Sequence, residues 1–308
     1  MVDIWKELLM AQKEENKEES AEQRGLRNAV FAAQQAAGGG GIPQVSRQDY
    51  AKRELGVEIP IDAVPLPSKG KVYPDGHPLH MAEAVDYRAM TAKEEDILMS
   101  PALIKKGTVI TELIKSCLTN PDIDVNTLLS GDRNALMIAI RASGYGAMYE
   151  PTYICPQCEF KNDFPINLTD LGIKPLTLEP AQPGTNLFHF KLPKCGKTIG
   201  FRFLTGREEE EILSEVDMRK KKGLLNSNIV TARLARSIVE IDGSQDRSSI
   251  SKFVQYMPAI DSLALREFID EHEPGVHMMV DFRCNSCDHV EEVTLPMGPT
   301  FFWPNAKR

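Results

Sequence analysis

The 308-residue chain has no stretch approaching the roughly 18 consecutive apolar residues that a membrane helix needs. Its start, Met1-Val-Asp-Ile-Trp-Lys-Glu-Leu-Leu-Met10, is amphipathic and lacks the basic-then-apolar order of a secretory signal, so a chain that folds in the cytosol is expected. An excess of positive charge is also missing. Lys and Arg number 36 against 44 Asp and Glu, a net charge of −8, which argues against a main task of coating duplex DNA or an anionic membrane. Catalytic signatures are absent: there is no HExxH, GxSxG, Walker loop or GxGxxG. Gly38–Gly41 runs into Ile42 and Pro43 rather than Lys-Ser/Thr, so it is no phosphate loop. None of His77, His80, His189, His272, His277 and His289 stands at a two-ligand helical spacing with a third donor. The expectation is a protein that is not an enzyme and has no small-molecule substrate.

What the chain does have is six cysteines, four of them in two CxxC pairs. In a reducing compartment such pairs point to metal rather than disulfides. The first knuckle is Tyr153-Ile-Cys155-Pro-Gln-Cys158-Glu-Phe-Lys-Asn-Asp-Phe164, and the second is Phe282-Arg-Cys284-Asn-Ser-Cys287-Asp-His-Val-Glu-Glu-Val293. In each, an apolar strand arrives, a tight turn carries the cysteines, and an alternating strand leaves. Two intervening residues let one turn aim both sulfurs at one point, and two facing turns give the four thiolates of a tetrahedral Zn²⁺ site. Cys155, Cys158, Cys284 and Cys287 are therefore the expected ligands of one structural zinc ion, in a ribbon whose halves are split by a long insertion. Four cysteines close the coordination sphere and leave no position for a catalytic water. His289 is expected on the outgoing strand rather than at the metal, Cys117 in a core and Cys195 as an exposed turn thiol.

The pattern along the chain predicts an α+β fold. Residues 1–41 read as a helical arm with a polar middle, ending in a glycine hinge. It is either a disordered or solvated tail, or an arm that Trp5, Leu8, Leu9 and Met10 dock on a neighbouring subunit. Residues 42–90 read as an extended, proline-rich strap, with a strand over Leu79–Met90. Residues 91–146 read as a small helical unit. In it Thr91 and Glu94 form a capping box, and Val109, Ile110, Leu113, Ile114 and Cys117 share one helix face. Asp132 is expected as a helix-start carboxylate, and Arg133 and Arg141 as internal ion-pair residues. Residues 147–169 and 276–304 are the split zinc ribbon. The insertion, 170–275, should hold a hairpin around Pro193–Lys197 and helices near 206–221, 227–240, 248–256 and 259–271. The basic run Arg219–Lys222 falls at a helix end, where it complements the dipole, so nucleic acid is a disfavoured partner. At the end of the chain, Phe301, Phe302 and Trp303 either return to the core or anchor a partner.

Several short motifs then coincide in order and spacing: Leu66-Pro-Ser-Lys-Gly70 with Tyr73-Pro74, Met90-Thr-Ala-Lys-Glu-Glu-Asp-Ile-Leu98, Leu103-Ile-Lys-Lys-Gly-Thr108, Leu129-Ser-Gly-Asp-Arg133, Ile140-Arg141, Gly144-Tyr-Gly146 and Cys155-Pro-Gln-Cys158. Together they resemble the base plate protein family of T-even-like contractile-tailed bacteriophages. The second knuckle and Phe301-Phe-Trp-Pro304 are similar to longer members. The resemblance implies a structural component of the tail baseplate, in or near its hub, contacting other tail proteins in a symmetric multi-subunit assembly. It places the protein in the virion after assembly in the host cytoplasm. A hub assembly chaperone that leaves the finished particle is the alternative, and a nucleic-acid-binding zinc ribbon is a lesser one.

Overall fold

Four prolines between Ile59 and Pro74 exclude helix from that stretch, and the computed structural model has none there. The structure describes residues 56, 58–223, 228–297 and 299–302. The expected arm, with Trp5, Leu8 and Leu9, and the terminal Trp303 lie outside the described residues. Strand β1 (Ile61–Pro65) pairs antiparallel with β2 (Ala84–Arg88). The expected strand over Leu79–Met90 is shorter than its apolar alternation suggested. Turn bonds from Met81 N–H to Gly70 O and from Ala82 N–H to Leu79 O hold its first residues in a reversal, with Met81 at φ 55.

Four helices follow: α1 (Ala92–Met99), α2 (Pro101–Lys106), α3 (Val109–Cys117) and α4 (Ser130–Tyr145). The Glu94 carboxylate fixes the start of α1 by accepting from both the N–H and the hydroxyl of Thr91. Gly107, at φ 71, ends α2. All five apolar residues assigned to the inner face of α3 are buried. Glycine is required at position 131 in the first turn of α4. A Cβ there would stand 1.9 Å from the carbonyl oxygen of Pro274, so only glycine lets these backbones meet.

The next segment is built from short strands: β3 (Met148–Tyr149), β4 (Thr152–Ile154), β5 (Lys161–Asp163), β6 (Ile166–Asn167) and β7 (Ile173–Lys174). β3 pairs with β6, and β4 with β5. A hairpin of β8 (Phe188–Lys191) and β9 (Thr198–Phe201) then leads into α5 (Gly206–Lys221), α6 (Ile229–Ser237) and β10 (Ile238–Ile241). The helix expected at 227–240 is thus divided. Its end, Ile-Val-Glu-Ile, is drawn into the sheet as β10 on the free side of β9, giving the order β10-β9-β8. Pairing with an existing strand outweighs the weak helical tendency of β-branched residues. α7 (Arg247–Tyr256) and α8 (Ala259–His272) follow. Phe268 of α8 meets Phe190 at 4.6 Å and Phe201 at 5.9 Å between ring centroids. The chain returns through β11 (Gly275–Val276), which pairs with β7, and through the hairpin of β12 (Met279–Arg283) and β13 (Val290–Thr294).

The fold is α+β. Leu113, Leu136 and Ile140 of the helices share one hydrophobic core with Phe188, Phe201 and Phe203 of the insertion. Phe301 and Phe302 return to this same core with no exposed surface, Phe301 meeting Tyr149 edge-on at 5.0 Å. The expectation that these two anchor a partner is corrected accordingly: both are spent inside their own chain. No helix among the described residues is long and apolar enough to cross a membrane.

Candidate metal centre

Each CxxC knuckle is a hairpin whose turn is fixed by the backbone. In the first, the Cys155 N–H donates to Phe160 O (3.0 Å) and the Glu159 N–H to Cys155 O (2.9 Å). In the second, the Cys284 N–H donates to His289 O (2.9 Å) and the Asp288 N–H to Cys284 O (3.1 Å). The residue after the second cysteine is left-handed in both, Glu159 at φ 58 and Asp288 at φ 57. The two knuckles are therefore copies of one turn, as their flanking patterns suggested. Tyr153 and Phe282 precede the turns at matching positions, and Phe164 and Val293 follow them.

The copies face each other. Cys155 Sγ lies 3.7 Å from Cys287 Sγ, and Cys158 Sγ lies 3.6 Å from Cys284 Sγ. All four sulfurs fall within 4.8 Å of one another. These are not disulfide distances, and all four cysteines are free. Metal–sulfur bonds of about 2.3 Å in a tetrahedron put sulfurs about 3.8 Å apart, so these two separations match tetrahedron edges. The donor set could hold a metal ion. It is the only cluster of metal-binding side chains among the described residues. Cys155 and Cys284 are fully buried, while Cys158 and Cys287 lie toward solvent.

Thiol acidity in the cluster is uneven. Burial acts to raise the Cys284 thiol, but the N–H groups of Ser286 and Cys287, with Cys158 and the Asn162 amide, outweigh it and lower the pKa to about 6. At Cys287 the His289 N–H acts to lower the pKa. Burial and the three neighbouring sulfurs override it and push it up to about 12. Sulfurs packed this closely suppress one another's ionisation, and a cation among them removes that conflict.

Sequence reasoning missed the groups that join the knuckles. Asn162, only 1% exposed, donates to Cys284 Sγ (3.6 Å) and accepts from the Asn285 N–H (2.8 Å). From the same half, the Tyr153 hydroxyl donates to Glu291 (3.1 Å). Asn162 and Glu291 each stand seven residues after the first cysteine of their knuckle, and that shared offset was the available signal. No strand pairing crosses between β4–β5 and β12–β13. His289 sits beside Glu291 and is outside the sulfur cluster. Cys117 is buried in the main core, and Cys195 is exposed in its turn.

Asp132 stands in the first turn of α4, the helix-start carboxylate the sequence predicts. It is fully buried, accepting from the Ser68 N–H (3.0 Å), the Ser68 hydroxyl (2.6 Å) and the Tyr73 hydroxyl (2.6 Å). Burial acts to raise its pKa, and these bonds oppose the rise. Tyr73 in turn accepts from the Leu129 N–H. Arg133 pairs with Glu210 as an internal ion pair. Among the described residues Arg141 forms no such pair; its guanidinium donates to the carbonyls of Phe301 (3.0 Å) and Gly146 (2.9 Å). A helix end and the C-terminal segment supply acceptors where a carboxylate was expected. These polar residues hold segments together.

Fold and cluster together define an α+β protein whose four free cysteines, drawn from two distant segments, form one candidate metal centre. The chain matches the family described as T4 bacteriophage base plate protein over residues 61–303 and belongs to it. The matched region opens at β1 and takes in both knuckles. It is a phage baseplate protein, which implies a place in the virion tail and contact with other tail proteins. Neither the curated proteins nor the solved structures gave a match.

Proposed function

We propose that the protein is a non-enzymatic, zinc-stapled subunit of the hub region of a contractile-tail baseplate, interlocking with its neighbours during assembly. The convergence of Cys155, Cys158, Cys284 and Cys287 at tetrahedral spacing carries the zinc part of this reading. The residues that would hold the ion are those four, with Asn162 orienting Cys284. Zn²⁺ would supply cohesion and no chemistry, since four thiolates complete its coordination. On this reading 147–169 and 276–304 form one ribbon around the insertion 170–275. The arm, 1–41, reaches a neighbour through Trp5, Leu8 and Leu9, and Trp303 adds to that contact.

Metal analysis of the full chain should find about one zinc per chain. A metal-free protein with all six thiols titratable would refute the staple. Mass spectrometry of purified virions tests the structural role separately. Detection at a fixed stoichiometry supports it, and complete absence reassigns the protein to hub assembly.

A further inference from the structure

A groove of ≈ 320 Å³ opens between β1 and β7, and none of its lining residues is a candidate metal ligand. Its floor is the Ala135, Ala139 and Ala142 face of α4; Ala63 and Pro65 form one wall and Ile173 the other. The walls are strand edges. The Ala89 N–H donates to Pro60 O and the Leu66 N–H to Glu83 O, so with the β1–β2 register it is Asp62 and Val64 that bond to β2. Ile61, Ala63 and Pro65 therefore direct their backbone groups away from β2. Proline is tolerated at position 65 because an outward N–H has no ladder bond to lose. On the other side, the His277 N–H donates to Gly172 O and Lys174 pairs with Gly275, which turns the backbone of Ile173 away from β11. The groups of Ala63 and Ile173 have no backbone partner among the described residues. The two edges converge where the Leu176 N–H donates to Pro67 O (2.9 Å).

Unpaired strand edges over an apolar floor specify an extended backbone as the occupant, and the alanines leave room for its side chains. The charge beside the groove narrows the choice. Asp62 and Asp170 flank the lining residues, are exposed, and have no ion pair among the described residues. We propose that this groove receives an extended peptide segment of a neighbouring tail protein. The segment adds as a strand along β1, sets small apolar side chains on the alanine floor and brings basic residues to Asp62 and Asp170.

Fluorescence anisotropy with the full chain and a fluorescein-labelled probe peptide, Lys-Ala-Val-Ala-Val-Ala-Lys, tests this. Wild-type protein binds the probe, and the amides of Ala63 and Ile173 gain hydrogen-exchange protection. Ala63→Pro deletes one outward donor without touching the β2 ladder and weakens binding about fivefold. Ala139→Trp fills the floor and abolishes binding. Replacing the probe's lysines by glutamates, which needs no protein variant, also weakens binding, most at low salt. No binding to wild-type protein, or binding indifferent to both substitutions, overturns the proposal. So does a wild-type dimer in sedimentation equilibrium that Ala139→Trp dissolves, because it assigns the groove to a second copy of this chain.

Discussion

Around α4, cohesion comes from burial. Leu113, Leu136 and Ile140 expose no surface, and among the buried polar residues there Asp132 is matched with Ser68 and Tyr73, and Glu94 with Arg88 and Ser116. Between the two knuckles the buried cluster consists of Cys155, Phe282, Cys284 and Val293, and two of these four are candidate ligands. The rings of Tyr153 and Phe164 lean on Phe282 at 4.5 and 5.5 Å, but no strand ladder joins the halves. Small clusters of this kind contribute little of the burial that offsets the entropy of ordering a chain. The comparison teaches that helices long enough to supply apolar area hold the main core, while between the knuckles, with strands of three to five residues, that area is small and the close-set groups are four cysteines that could hold a metal ion.

Metal removal breaks the comparison most directly. Structural zinc contributes about 10 kcal/mol or more of apparent binding energy in small metal-dependent modules. Chelation, or Cys284→Ser, is expected to abolish hydrogen-exchange protection in both β4–β5 and β12–β13 while α3 and α4 stay protected. Loosening confined to 279–294 would mean that the knuckles do not share an ion.

Next in size is the buried pair in the helical region. Arg88 and Glu94 meet through two bonds of 2.6 and 3.1 Å, and the Ser116 hydroxyl donates to Glu94 at 2.6 Å. Arg88→Ala leaves the carboxylate buried and uncompensated and is expected to cost about 3–5 kcal/mol in denaturant unfolding. The same pair predicts a pH dependence. Burial acts to raise the Glu94 pKa, but the bonds from Arg88, Ser116 and Thr91 outweigh it and hold the carboxyl at about 2, below its ordinary 4.5. The stability it contributes is complete above that ordinary value and is lost as pH falls toward about 2. The gap in unfolding midpoint between wild type and Glu94→Gln should therefore shrink between pH 5 and pH 2.

Asp132→Ala removes the acceptor of three hydrogen bonds and leaves Ser68 and Tyr73 buried without it, for an expected loss of about 2–3 kcal/mol. The smallest effect belongs to the surface. Arg207 and Glu211 form an exposed pair one helical turn apart on α5, and Glu211→Ala should shift stability by less than about 0.5 kcal/mol. A larger shift there would show that surface charge joins burial in holding the main core.

Much of the helical part was legible because local signals suffice for it. Thr205 and Glu208 cap α5, and the helix runs over 206–221 as its sequence predicts. Asp246 caps α7 through the N–H groups of Ser248 and Ser249. The family motifs acquire a physical meaning only in three dimensions: Ser68 and Tyr73 of one and Asp132 of another meet in a single buried network. Where reading along the chain failed, a distant partner decided the outcome. The end of the expected helix at 227–240 became β10 because β9 had a free edge, and Arg141 found carbonyls of Gly146 and Phe301 in place of a carboxylate.

By itself, the sequence determined the helices with their caps, the strap that proline keeps from coiling, and the two knuckles, all set by residues a few positions apart. The facing of the knuckles, foreseen from their matching patterns, is brought about only in tertiary structure, where Cys155 and Cys158 meet Cys284 and Cys287 across more than a hundred intervening residues. Tertiary structure also decided that Phe301 and Phe302 return to the core and that β1 and β7 leave a groove between them. The physical reason is that caps and turns are satisfied within one helical turn or hairpin. Burial and metal coordination need groups that only the folded chain brings together.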